Sequence, residues 1–264
     1  MRKILIVCVD YKSATDTVKF VKNALSMHPL VHVILVLNSG CNGFNSDFLN
    51  LERLFVYDFN KNLGYMQGAS EGIKAYLKSN DLPDWIVLSN TDITFSDNCF
   101  FERLSNDGRK NIIIAPNIIS ADGVHQNPFL KHRLTLKKLK FLIAVNSFKF
   151  TAVAYSYLAK LKTLIKANNK KKPSSPLEIY APHGAFIIIG SLYFSKGENL
   201  DHPTFLYGEE LFIAERAARL GMKVIYDDRY QVLHAEHITT SKMTSEFRAK
   251  TLKESLISFI KYYY

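Results

Sequence analysis

At 264 residues the chain suits one large domain with a substantial core, and 47% apolar with 22% charged residues is the balance of an ordinary globular protein. No apolar run approaches the roughly 18 residues of a membrane-spanning helix, and Cys8, Cys41 and Cys99 are too few and too scattered for a disulfide framework or a zinc cluster, which fits a reducing compartment. The net charge of +10 is local: between Asp122 and Glu178 there is no acidic residue, yet twelve Lys and Arg fall between Lys131 and Lys172.

Ile4–Val9 is a continuous apolar run, read as a strand covered on both faces; it stops at Asp10, short of a secretory core. Thr15–Met27 has helical spacing, with Val18, Val21, Ala24 and Leu25 on one side. Val31–Leu37, Leu54–Tyr57 and Trp85–Ser89 are further strands, and Ile112–Ala115 is a fifth that Pro116 closes. Between them, Asn62-Leu-Gly-Tyr-Met-Gln-Gly-Ala-Ser-Glu-Gly72 leads into a helix that runs to about Lys78. This alternation predicts a three-layer α/β/α sandwich around a mostly parallel sheet.

Residues 131–172 interrupt the rhythm with two predicted basic amphipathic helices, Arg133–Val145 and Phe150–Ala167, followed by a linker over 168–176. The α/β pattern resumes at Pro182–Ile189. A helix opening at Glu209, a strand over Lys223–Tyr226, a turn at Asp227–Arg229 and a helix over Ser245–Tyr262 complete the chain. One domain is expected, with a first half over 1–122, a basic insert over 123–177, a second half over 178–244 and a terminal helix over 245–264.

Ligands of open α/β sheets lie beyond the carboxyl ends of the strands. Asn90-Thr-Asp92 follows the Trp85–Ser89 strand there, and Asp92 can hold Mg²⁺ or Mn²⁺, although Asn and Asp also favour plain turns. Gly64, Gly68 and Gly72 recur every fourth residue and are expected on one helix face, Gly72 packing against the sheet; the Asn62–Gly64 corner is the better nucleotide-binding turn. Glu209 and Glu210 open a helix that ends near Gly221. Both can simply complement its dipole, but a carboxylate facing an acceptor hydroxyl is a general base, and Glu210 is the stronger candidate. His234 is a candidate metal ligand, with His183 and His237 as competitors.

Four blocks in order resemble family 2 glycosyltransferases, in particular the rhamnosyltransferase-like branch that builds bacterial surface polysaccharides. They are the strand ending in Asp10-Tyr11; Asn62-x-Gly64-Tyr-x-x-Gly68-x-x-x-Gly72; Leu88-Ser-Asn-Thr-Asp92; and Gly184-Ala-Phe186 with Phe205-Leu-Tyr-Gly-Glu-Glu210, Arg216, Gly221 and His234. The resemblance covers about Lys3–Asp122 and Ala181–Met243. It implies the nucleotide-diphospho-sugar transferase (GT-A type) fold and an inverting single displacement. Asp10, Tyr11, Asn38, Asn62, Gly64, Asn90 and Asp92 would bind the donor, and His183, Gly184 and Tyr207 would line the acceptor side. Asp92 and His234 would hold Mg²⁺ or Mn²⁺, and Glu210, beside Glu209, would act as base. Three positions depart from the pattern: Leu37 and Asn90 replace carboxylates, and Glu210 stands where Asp is commoner.

The implied reaction moves a sugar from a nucleotide-sugar, dTDP-rhamnose by family branch, to a saccharide or lipid-linked saccharide at the cytoplasmic face of a membrane. Residues 131–172 are then expected to meet an anionic membrane surface, each basic residue contributing about 1 kcal/mol, or to pack within the fold or a dimer; nucleic acid is the weaker partner, as no recognised module is present. The competing function is a non-catalytic membrane- or nucleic-acid-binding protein on a degenerate transferase scaffold, with Leu37 and Asn90 in its favour. Nucleotidyltransferases of the same fold carry a Gly-rich N-terminal loop that Val9–Ala14 lacks.

Overall fold

The computed structural model describes residues 3–155, 157–158, 173–236 and 244–264. Its strands are β1 (Ile4–Asp10), β2 (Val31–Leu37), β3 (Leu54–Asp58), β4 (Trp85–Ser89), β5 (Ile93–Phe95), β6 (Ile112–Ser120), β7 (Leu177–Ile179), β8 (Phe186–Gly190) and β9 (Lys223–His234). The longer helices are α1 (Ala14–Met27), α2 (Tyr65–Leu77), α3 (Phe100–Asn106), α4 (Leu136–Val145), α5 (Glu209–Arg219) and α6 (Ser245–Tyr263). One sheet takes the order β3-β2-β1-β4-β8-β6-β9-β5, with β7 also on β9. β3, β2, β1 and β4 run parallel, β8 is antiparallel to both its neighbours, and β9 is parallel to β6.

The pleat of β1 sets the layers, because successive side chains leave a strand on opposite faces. Ile4, Ile6 and Cys8 join Phe20, Val21 and Ala24 of α1 and Phe100 and Leu104 of α3 in one core. Leu5 and Val7 join Met66, Ala69 and Ile73 of α2 and Ile213 and Ala217 of α5 in the other. The expected three-layer sandwich is the one that forms. A smaller third core gathers Leu139 of α4, Leu211 and Phe212 of α5, and Leu256 and Phe259 of α6. It fastens the basic insert to the helix that opens at Glu209.

Two expected breaks are absent. Pro116 does not close the fifth strand: β6 continues to Ser120, and the missing N–H is accommodated by a register shift between Pro116 and Asn117. Asp227–Arg229 is not a turn but part of β9, which bulges there, Pro116 pairing with Asp227 and Asn117 with Gln231. The segment remains in the sheet because its charge is matched: buried Asp227 accepts from Arg229 Nη2 at 2.5 Å and Arg109 Nη2 at 2.8 Å. β5, β7 and α3, of three to seven residues, are too short for the periodicity used to find elements.

Gly64 does not share the helix face of Gly68 and Gly72, because α2 begins at Tyr65 and Gly64 precedes it with φ of 79°. Gly72 packs on the sheet as expected, since a Cβ there would lie 2.7 Å from Val36 Cγ2. Of the second basic helix, residues 149–155 and 157–158 are helical; residues 156 and 159–172, with most of the linker, lie outside the described residues.

Asp107 anchors the same charge network. Burial alone would raise its carboxyl, but hydrogen bonds from Arg109 and Tyr230 hold it at about 2. A depressed folded pKa stabilises the native state above the usual carboxylate value near 4, and that stability is lost as pH falls toward the folded value. Asp107→Asn should therefore lower urea-unfolding stability by about 2 kcal/mol at pH 7. The gap from wild type should narrow steadily between about pH 4 and pH 2.

Candidate active site

Sheet topology brings the predicted residues to one edge. The Ser89↔Phe186 register places the start of β8 beside the end of β4, and Asn90 N donates to Ala185 O at 2.9 Å. His183 and Gly184 thereby stand next to Asn90 and Asp92. From the other side Ile93 pairs with His234, so β5 and β9 carry Asp92 and His234 to each other. Asn90 contributes a backbone contact here, and the facing side chains are those of Asp92 and His234.

Asp92 Oδ1 lies 3.3 Å from His234 Nε2, both side chains being about one-tenth exposed. A chain of hydrogen bonds fixes the imidazole tautomer. The Glu236 carboxylate only accepts, so Gln126 Nε2 donates to it at 2.5 Å; Gln126 Oε1 then faces His234 Nδ1 at 2.8 Å and must receive its proton. With the proton on Nδ1, a neutral His234 ring would turn its Nε2 lone pair toward the Asp92 oxygen, as two ligands of one cation would, with Gln126 as the outer partner. Among the described residues no group of three or more His, Cys, Asp or Glu could hold a metal. The pair fits Mg²⁺ or Mn²⁺ only if further oxygens come from a bound diphosphate and water, the usual division for these ions.

On the donor side the candidates divide. Asp10 is buried and turned inward, accepting from Thr17 Oγ1 at 2.6 Å and Ser13 Oγ at 2.9 Å; it organises the loop that presents half-exposed Tyr11. Leu37 lies in the core under α1 rather than at the site. Asn38 clamps the glycine corner, its amide donating to Gly64 O at 2.8 Å and accepting from Leu63 N at 3.2 Å. Asn62 Oδ1 accepts from Gly64 N at 3.0 Å. A Cβ at position 64 would come 2.1 Å from Phe205 O, so only glycine allows the Asn62–Gly64 corner and the 203–208 loop to cross.

The adjacent acids have different surroundings. Glu209 is buried and folds back to accept from Tyr207 N at 2.9 Å, holding a turn in which Tyr207 and Gly208 both have left-handed φ, 69° and 80°. Its carboxylate thus braces the turn that leads into α5. Glu210 turns the other way, and its Oε1 accepts from Gly184 N at 3.2 Å. A Cβ on Gly184 would lie 2.5 Å from that oxygen, so the glycine makes room for the carboxylate. Burial pushes both carboxyls above their ordinary range, and the Glu210 charge pushes Glu209 further.

His183 joins the two centres. Its backbone continues into Gly184 against Glu210, and its ring meets His234 at 6.1 Å. Burial, then the neighbouring His234, lowers His183 to about 4, so it is neutral at pH 7. Its Nδ1 accepts from Ala185 N at 3.2 Å, which leaves Nε2–H as a donor. Tyr65, overlooked in the sequence, sits in the midst of these groups. Its hydroxyl is 3.5 Å from Gly184 O, and burial together with Glu209, Asp92 and Glu210 raises it well above the phenol range. The available signal was a tyrosine directly after Gly64 in the Asn62–Gly72 block. A cavity of about 500 Å³ lined by Cys99, Arg103, Asp107, Arg109, Arg229 and Tyr230 lies instead near the start of β6, away from these residues.

The chain matches no protein-family model and no curated protein. Among solved structures it is similar to GalNAc-T7 with UDP, GalNAc and Mn²⁺ (TM-score 0.60, 13% identity, 99% of this chain and 48% of that one). It is also similar to the mannosyltransferase PcManGT from Pyrobaculum calidifontis in complex with GDP-Man and Mn²⁺ (0.53, 10%, 90% and 58%). A third similar structure is S. aureus TarS 1-349 (0.50, 10%, 88% and 60%). The chain thus spans about half to three-fifths of their lengths. At these identities the likeness establishes the fold, which is the GT-A type of nucleotide-sugar transferases.

With two candidate protein ligands among the described residues, Mn²⁺ should bind weakly alone and much more tightly with a nucleoside diphosphate. Calorimetric titrations with UDP, dTDP, GDP and CDP would measure this, and Asp92→Ala should abolish the cooperative binding. Gln126→Leu, which removes the acceptor for Nδ1–H, should weaken it about tenfold or more.

Proposed function

We propose that the protein is a metal-dependent, inverting glycosyltransferase. It takes a sugar from a nucleoside-diphosphate donor, dTDP-rhamnose being the leading candidate, and passes it to a saccharide hydroxyl on a growing, lipid-linked surface polysaccharide. Residues 1–122 supply the donor half and 178–244 the acceptor half, and the enzyme works at the cytoplasmic face of a membrane. One observation carries this reading: the His183–Gly184 dipeptide touches Glu210 through its amide and the Asp92–His234 pair through its ring, so a base and a diphosphate site share one wall.

In this scheme Asp92 and His234 would hold Mg²⁺ or Mn²⁺, which when bound would neutralise charge on the diphosphate leaving group. Asn38 and Asn62 set the corner beneath the nucleotide. Glu210 accepts the acceptor hydroxyl proton as its oxygen attacks the anomeric carbon, and the bond to the diphosphate breaks on the opposite face. Burial suits Glu210 to this work, because a raised pKa brings a carboxylate base nearer neutrality. Leu37 and Asn90, which spoke for a non-catalytic scaffold, leave the Asp92–His234 pair and Glu210 intact.

Glu210→Gln should lower kcat by about 10²–10⁴-fold while leaving nucleoside diphosphate binding nearly unchanged. Glu209→Gln, which keeps an acceptor for Tyr207 N–H, should retain turnover within a small factor. Full turnover in Glu210→Gln would remove the residue from the base role. Because a base works ionised, wild-type turnover should fall with decreasing pH at a value above the ordinary carboxylate range near 4.

A further inference from the structure

The basic insert wears apolar side chains on its outside. Its first helix, α4, buries only Leu139 and leaves Phe141 half exposed. At the bend and along residues 149–155 and 157–158, Phe148 is 69% exposed, Phe150 84%, Val153 47%, Tyr157 65% and Leu158 63%. Phe150, Val153 and Tyr157 follow the i, i+3, i+7 spacing of one helix stripe. A stripe of that kind ordinarily faces a core; here Ala152 packs inward and the stripe faces out.

The surface is held rather than loose. Phe141 and Tyr155 meet at 6.0 Å, and Lys138 Nζ lies 4.9 Å over the Phe141 ring and 3.4 Å from Tyr155 OH. Lys149 approaches Glu246 of α6 at 3.7 Å. Lys137, Lys138, Lys140 and Lys149 are exposed on the same two helical segments, and no acidic residue occurs between Asp122 and Glu178.

Charge of one sign selects an anionic partner. Aliphatic Val153 and Leu158 beside the aromatics select one with a hydrocarbon phase, which nucleic acid lacks. We infer that this ridge docks on an anionic lipid bilayer. Phe148, Phe150, Tyr157 and Leu158 enter the boundary between headgroups and acyl chains, and the four lysines lie at the lipid phosphates.

The position of the ridge gives the contact a purpose. Leu139 is packed with Leu211 and Phe212, the residues directly after Glu210, and exposed Phe129 stands edge-on to His183 at 5.3 Å. The bilayer would therefore lie on the acceptor side of the site, where the lipid of a membrane-held acceptor would run from bilayer to base. This last step rests on the transferase reading; bilayer docking itself does not.

Co-sedimentation of the full chain with vesicles, without donor or acceptor, tests the docking. The wild type should bind phosphatidylcholine–phosphatidylglycerol vesicles, bind phosphatidylcholine alone far less, and dissociate as salt rises. Phe148→Ser/Phe150→Ser, both already exposed and so harmless to folding by circular dichroism, should lower partitioning at least about tenfold. Lys137→Glu/Lys138→Glu/Lys140→Glu should lower it by about fivefold per lysine. No binding to the anionic vesicles at low salt, or binding that the Phe double variant leaves unchanged, would overturn the inference. So would a wild-type dimer in vesicle-free solution that Phe150→Ser converts to monomer, because the ridge would then be covered by a second copy. Nucleoside diphosphate binding by the same preparations reports separately on the transferase reading.

Discussion

The candidate site depends on one antiparallel strand inside an otherwise parallel half-sheet. Parallel strands all deliver their carboxyl ends to the same edge, so on their own they bring together loops that follow strands. β8 runs against β4 and β6 and delivers its beginning instead. The His183–Gly184 segment that enters it is thereby set against the Asn90–Asp92 segment that leaves β4, with the Asn90–Ala185 hydrogen bond closing the seam. Glu210 has a place at this seam only because Gly184 stands there without a side chain. Reversal of one strand thus joins two stretches nearly a hundred residues apart.

Electrostatics then separates groups that look equivalent. Glu209 and Glu210 are neighbours of the same type, and both are raised by burial, yet one caps its own turn and the other faces the site. The difference comes from the left-handed turn at Tyr207–Gly208, which Ser255 of α6 secures by donating to Tyr207 O at 2.6 Å. The terminal helix, which carries none of the candidate chemistry, therefore braces the turn that Glu209 also holds. Similarly, Glu236 orients Gln126, whose oxygen sets the tautomer of a neutral His234.

Much of this was legible because burial leaves a strong mark. β2 and β4 are nearly continuous runs of Val, Ile, Leu and Trp, and their predicted and observed limits coincide. Asp92, Glu210 and His234 were legible as chemical types at the ends of such elements. Their pairing was not, because it follows from the registers of β5 on β9 and β8 on β4, long-range facts with no local signal. Proline and paired acids read locally as breaks at Pro116 and Asp227. The sheet overrode them, through a bulge in one case and a set of arginines in the other. Gln126 lies in an irregular segment where nothing but its partners distinguishes it. Tyr65 was hidden inside a glycine block whose other members drew the attention.

β9 is also a ruler. Its first half is fixed to β7, its second to β5, and it spans twelve residues with a single bulge between them. Side chains alternate along a strand, so adding or removing one residue beyond the bulge would carry His234 to the opposite face and away from Asp92. The stretch between β6 and β7 is constrained differently, by the side chains of Gln126 at His234 and Leu139 in the third core and not by strand register. The count from Gln231 to His234, by contrast, is fixed by the geometry it measures.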